Sequence, residues 1–223
     1  VRYPEMAQLV HGLASSAQPA ADLDRIDRIV RGDRHNADLR KAFAAMGGFD
    51  AMLPQLDSED VDVLTEALSL SGAVLGRYAP NRDVIRESGL LRKAIGLLAH
   101  KSRDVQHKAV FCVASSTQRN SGNQSFVAEH GGIALFVELL RVLQDSTYLD
   151  HAPLGLKNCC CELRGEAAAK NIKLLRECEN AGPLLALHAE IGEGDVPEQA
   201  KAVLHTCGYT ESEWSDLLLS GWA

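Results

Sequence analysis

The sequence predicts an all-α repeat solenoid, and three observations predict it. A glycine turn returns at a near-constant interval, helical apolar spacing flanks each turn, and the core composition favours helix. Hydrophobic residues make up 46% of the 223 residues and aromatics only 5%. A core drawn mainly from Leu, Ala, Val and Ile suits helices, because small and straight-chain residues lose little rotamer freedom there, whereas strands draw on aromatic and β-branched types.

Four segments align around a glycine: Met46-Gly47-Gly48-Phe49, Glu87-Ser88-Gly89-Leu90, His130-Gly131-Gly132-Ile133 and Asn180-Ala181-Gly182-Pro183. Aligned on Gly48, Gly89, Gly132 and Gly182, they recur at intervals of 41, 43 and 50 residues. The first two intervals fall within the period of roughly 40–47 residues of armadillo and HEAT units. The third is stretched by an insertion around Gln144 to Pro153. Upstream of each glycine lies a short amphipathic helix, such as Asn81 to Ile85 or Asn123 to Val127, and downstream an apolar one, such as Leu90 to Leu98 or Ile133 to Leu140. A third helix follows. On it Val63 and Ala67, Val105 and Ala109, and Val196 and Ala200 stand four residues apart and so share a core-facing stripe. A unit of this kind cannot bury its apolar face alone, so units must stack. The resulting division is an N-terminal cap at 1–32, repeats at 33–79, 80–121, 122–165 and 166–211, and a C-terminal cap at 212–223 that holds Trp214 and Trp222.

This organisation resembles the armadillo family, which implies a right-handed superhelical solenoid of about four repeats with helical caps. Within that family, the run Gly89-Leu90-Leu91-Arg92-Lys93, followed by Lys108-Ala109-Val110-Phe111-Cys112-Val113-Ala114-Ser115-Ser116 and Arg119-Asn120, resembles the armadillo-type nucleotide exchange factors of DnaK-type, seventy-kilodalton heat-shock chaperones. The likeness covers roughly residues 33 to 140. It implies a groove that clasps one lobe of the chaperone's nucleotide-binding domain and favours its open form. Nuclear-import adaptors carry a ladder of Trp-Asn pairs on the third helices. Here those positions hold Ser69 and Ala73, Phe111 and Ser115, and Asn158 and Glu162, so that mode of peptide binding is not expected.

Charge and motifs bound the chemistry. The chain has 23 basic and 30 acidic residues, a net charge of -7, so a dedicated nucleic-acid binder is disfavoured. No apolar run is long enough to span a bilayer. The eight histidines form no HExxH or HxH pair, and neither a GxSxG elbow nor a P-loop is present. No enzymatic activity and no cofactor are therefore expected. Cys159, Cys160 and Cys161 are consecutive, and successive helical residues point about 100° apart, so the three cannot share one ion. They read, with Cys112, Cys178 and Cys207, as small buried hydrophobes of a cytoplasmic protein, with room for one reactive thiol among the three. The sequon Asn123-Gln124-Ser125 falls in a helix and reads as unused. The opening Val1-Arg2-Tyr3-Pro4 lacks both an initiator methionine and a signal-peptide pattern, which points to a piece of a longer chain.

The expected function is a protein-binding one, exercised on the concave face that the third helices line. Ser69, Ala73, Lys108, Phe111, Ser115, Asn158 and Glu162 are expected on that face, with Phe111 as aromatic anchor and Lys108 and Arg103 as charged guides. Between residues 81 and 120 eight basic side chains face three acidic ones, and this basic segment would orient a partner with an acidic patch. The alternative is a scaffold or adaptor domain of a larger cytoskeletal, ciliary or signalling protein.

Overall fold

A computed structural model describes residues 3–32, 37–76, 78–142, 151–161, 165–192 and 194–220, and among these every regular element is helical. The chain divides into two compact units, residues 1–116 and 117–223. The first contains α1 (Pro4–Gly12), a 3₁₀ turn (Leu13–Ser15), α2 (Pro19–Gly32), α3 (Ala37–Ala45), α4 (Gly48–Met52), a second 3₁₀ turn (Leu53–Asp57), α5 (Val61–Leu75), α6 (Asn81–Glu87) and α7 (Leu90–Leu97). Helix α8 (Arg103–Thr117) ends at the division. The second unit contains α9 (Ser121–Glu129), α10 (Gly132–Val142), α11 (His151–Cys161), α12 (Gly165–Glu177), α13 (Ala181–Ile191), α14 (Val196–Thr206) and α15 (Glu211–Ser220).

In the first unit α5 lies along α2, and Leu23, Ile26 and Val30 of α2 are buried, as are Leu64, Ala67 and Leu68 of α5. The carboxylate of Asp60 accepts from the Asp62 amide at 2.8 Å, which occupies one of the donors a helix start leaves unpaired. In the second unit α13 packs on α14 and α15, and α14 on α11. The expected core pairs are all buried: Val63 with Ala67, Val105 with Ala109, and Val196 with Ala200. Trp214 is buried too, its ring edge-on to His205 at 5.3 Å, while Trp222 lies outside the described residues.

The turns recur, but on a different register from the one the sequence suggested. The residues with positive φ between the first and second helices are Gly47 (76°), Gly89 (83°), Gly131 (77°) and Asn180 (60°), at intervals of 42, 42 and 49 residues. Gly48 and Gly132 instead begin helices α4 and α10, and they are small for a packing reason. A Cβ on Gly48 would lie 2.4 Å from the Phe43 ring, and one on Gly132 2.4 Å from Val127. In a Gly-Gly pair the sequence does not reveal which residue takes the left-handed conformation. At the fourth turn the role passes to Asn180, a residue type that tolerates that region, and Gly182 sits inside α13.

Buried polar side chains tie α5, α8 and α11 each to the helix that follows it. Asn81, at the start of α6, donates to Val74 O (2.9 Å) and Arg40 O (3.1 Å), and Arg40 Nε donates to Ala73 O (3.2 Å). Gln124 donates to Thr117 O (2.7 Å) and Asn171 to Cys159 O (2.8 Å) in the second unit. Apart from Arg40 O, which lies in the body of α3, the accepting carbonyls stand at or near helix C-termini, where the helix itself supplies no partner. Asn123 is fully buried, so its sequon offers no accessible side chain.

Candidate functional site

Helices α2, α5 and α8 of the first unit carry a shared stripe. The 42-residue interval of the turns takes Asp27 to Ser69 to Phe111, and Arg31 to Ala73 to Ser115. Residues at i and i+4 share a helix face, so these two rows lie side by side. The guanidinium of Arg31 connects them. Its Nε donates to Asp27 Oδ2 at 2.7 Å, and one terminal nitrogen reaches Ser69 Oγ at 3.1 Å and Ser69 O at 3.4 Å. Ser69 Oγ in turn donates to Asp27 Oδ2 at 3.3 Å, and Arg31 stands 5.8 Å from the centroid of the Phe111 ring. One cationic group thus touches an acid on α2, a hydroxyl and a carbonyl on α5, and an aromatic face on α8.

Glu66, one turn from Ser69 on α5, belongs to the same field. Partial burial raises its pKa above the usual carboxylate range, with the negative charges of Asp24 and Asp27 adding to the rise, while Lys108 and Arg31 oppose it. The stripe therefore alternates sign: carboxylates at 24, 27 and 66, cations at 31 and 108, with the half-buried Phe111 among them.

Phe111 does not project freely. Its ring lies against the backbone of Gly72, close enough that a Cβ there would sit 2.2 Å from Cε1. The ring is a wall between α5 and α8 with one side left partly open.

Solved structures with this arrangement of helices are numerous. A designed armadillo repeat protein superposes with a TM-score of 0.78 over 97% of this chain and 88% of its own, at 19% sequence identity. The armadillo repeats only protein from Plasmodium falciparum gives 0.69 over 85% of this chain and 80% of its own, at 15% identity. The fold is the armadillo solenoid. A second designed armadillo repeat protein, solved in complex with peptide (KR)4, gives 0.64 over 91% of this chain and 99% of its own, at 17% identity. No family model and no curated protein sequence matches the chain.

Within this armadillo fold the expected site residues fare differently. Ser69 and Ala73 lie on the stripe but are only 7% and 8% exposed, and Lys108, Phe111 and Ser115 are half-buried along α8. Arg103 is exposed at the first turn of α8, two turns from Phe111. Asn158 corrects the expectation: it is 1% exposed and donates to Thr117 Oγ1 at 3.2 Å. The half-open row on α11 is instead Leu154, Lys157 and Cys161, at helical spacing one residue earlier. Assigning Asn158 by alignment failed because the insertion before α11 breaks the 42-residue count. Glu162 lies outside the described residues.

Asp27, Arg31 and Glu66 were missed. The signal was available, since 42 residues before Ser69 and Ala73 stand Asp27 and Arg31, in what the sequence suggested was only a cap. Two of the eight basic side chains between 81 and 120 are engaged elsewhere: Lys93 pairs with Asp57, and Arg86 with Asp83 and Glu87.

Among the described residues no three His, Cys, Asp or Glu side chains are placed to hold a metal ion, and no helix is long and apolar enough to cross a membrane. Four of the thiols are held in their protonated, weakly nucleophilic form. Burial pushes the Cys112 thiol up to about 12 and Cys207 to about 11, and raises Cys160 and Cys178 as well.

Proposed function

We propose that this chain is a protein-interaction module that binds an extended segment of a partner across the third-helix face of its first unit. The observation that carries the reading is the Arg31 cluster, where polar, charged and aromatic groups from three successive third helices meet at a half-open surface. Interfaces of this kind rely on a few aromatic and Arg groups at their centre. Ser69, Ala73, Lys108, Phe111 and Ser115 belong to that face, and the exposed Arg103 steers the partner from its edge. The designed armadillo protein with bound (KR)4 supports the reading, since the same fold there holds a peptide.

The experiment is photo-crosslinking from a probe at Ser115 in native extract, comparing the parent protein with Phe111→Ala and Lys108→Glu. Loss of the same crosslinked partner in both variants is the expected result. An unchanged partner set refutes the face. The nucleotide-exchange role implied by the resemblance to chaperone exchange factors is a narrower version of this reading. It requires faster ADP release from a DnaK-type chaperone at saturating protein, and no acceleration eliminates it. The scaffold or adaptor role in a larger cytoskeletal, ciliary or signalling protein uses the same face and differs only in the partner recovered.

A further inference from the structure

Arg31 is bound the way a ligand's arginine would be bound. Its guanidinium has a carboxylate partner, a hydroxyl, a backbone carbonyl and an aromatic face, supplied by three helices, yet the Arg31 side chain is still 46% exposed. Asp27, by contrast, is 11% exposed in its side chain and has spent only one oxygen. Its Oδ1 is buried without a hydrogen-bond partner among the described residues. The reason is geometric. Arg31 sits four residues along the same helix, and from there its Nε engages Oδ2 alone instead of making the two parallel bonds that a carboxylate and a guanidinium favour. A guanidinium arriving from outside carries no such tether.

We propose that the face of α2, α5 and α8 contains a guanidinium-recognition site formed by Asp27, Ser69 and Phe111, that Arg31 fills it in the free protein, and that an arginine side chain of the partner enters by displacing Arg31. The neighbouring carboxylates Asp24 and Glu66 favour a cation there; burial raises the Glu66 pKa first, and repulsion from Asp24 and Asp27 adds to the rise. Arginine is selected over lysine because the planar group makes both the bidentate contact and the stack on Phe111, whereas an ammonium is a hydrated point charge. Arg31 then acts as a gate, since an incoming arginine must outcompete a group already in place. The proposal rests on this face being the partner-contacting one.

Methylguanidinium and methylammonium are titrated into the protein and into Arg31→Ala, followed by backbone amide shifts of residues 27, 69 and 111. The expected result is saturable binding of methylguanidinium to Arg31→Ala, at least about ten-fold weaker binding to the parent, and none of methylammonium to either. Adding Asp27→Asn to Arg31→Ala abolishes it. Equal binding to parent and variant, or none to the variant, overturns the proposal, as does equal response to the two cations. If Arg31→Ala proves poorly folded, Arg31→Lys keeps a charge beside Asp27 and still yields to methylguanidinium. A matched pair of peptides differing by one Arg-for-Lys replacement extends the readout to an extended ligand. Because the small cation reports on the site and the Ser115 crosslink on the face, either fails without the other.

Discussion

Phe111 rests on Gly72: the ring and the helix backbone approach so closely that a Cβ on Gly72 would stand 2.2 Å from Cε1 and 2.5 Å from Cδ1. Glycine in mid-helix is ordinarily a weakness, costing about 1 kcal/mol relative to alanine. Here it admits an aromatic ring from the next third helix, and that ring faces Arg31.

Gly72→Ala therefore has a sign that depends on Phe111. In the parent background it forces the ring away and costs about 1–3 kcal/mol through overpacking. In a Phe111→Ala background the same change stabilises by up to about 1 kcal/mol, since only the helix preference remains. Urea unfolding of the four proteins in a double-mutant cycle measures the reversal, and simple additivity contradicts the contact.

Gly89→Ala isolates backbone strain. Its φ is 83°, and a Cβ would meet nothing within 4 Å, so no packing clash contributes. The cost should be about 1–2 kcal/mol, the penalty of a left-handed L-residue. Asn180→Gly at the equivalent turn should be neutral or stabilising by a few tenths, to about 1 kcal/mol, with the entropy of the unfolded glycine offsetting part of the gain. Thermal and urea unfolding report both.

Asn81→Ala removes the two donors that hold Val74 O and Arg40 O, both in the interior. Leaving the Val74 carbonyl unmet costs about 1–3 kcal/mol, since Arg40 O, in the body of α3, keeps its helical partner. Local hydrogen exchange in α5 and α6 should rise more than in α2. Uniform change across the unit contradicts a tie at that junction.

His188 makes stability depend on pH. Burial lowers its pKa, offset only in part by the hydrogen bond that Nε2 donates to Leu140 O at 3.0 Å, so the folded state favours the neutral ring. The unfolded chain then binds more protons as pH falls below about 6.5, and stability drops in that window while staying level above it. Comparing urea midpoints at pH 7.5 and 5.5 for the parent and His188→Gln checks this. The variant should show the smaller fall.

Thiol accessibility follows burial. Cys161 and Cys178 are half-exposed, whereas Cys112, Cys159, Cys160 and Cys207 are buried. Maleimide at neutral pH should label the first two slowly and the other four only on unfolding, as peptide mapping will show. Fast labelling at Cys112 or Cys160 contradicts the packing.

The sequence by itself determined the helices, the repeat and the core stripes, because these depend on local spacing that any helix of the same pattern would obey. Val105 and Ala109 are buried for the same reason they were recognisable: they recur on one face. Which glycine turns left-handed was not legible, since Gly47 and Gly48 differ only in whether Phe43 crowds them, and Phe43 comes from another helix. Asn158 was misplaced because its environment is set by Thr117, some forty residues away, after an insertion had broken the count. Of the Arg31 cluster the sequence carries only the 42-residue register, and its contacts belong to the tertiary structure. Its acid, hydroxyl and ring are 42 residues apart, and only the stacking of three helices brings them within reach of one guanidinium.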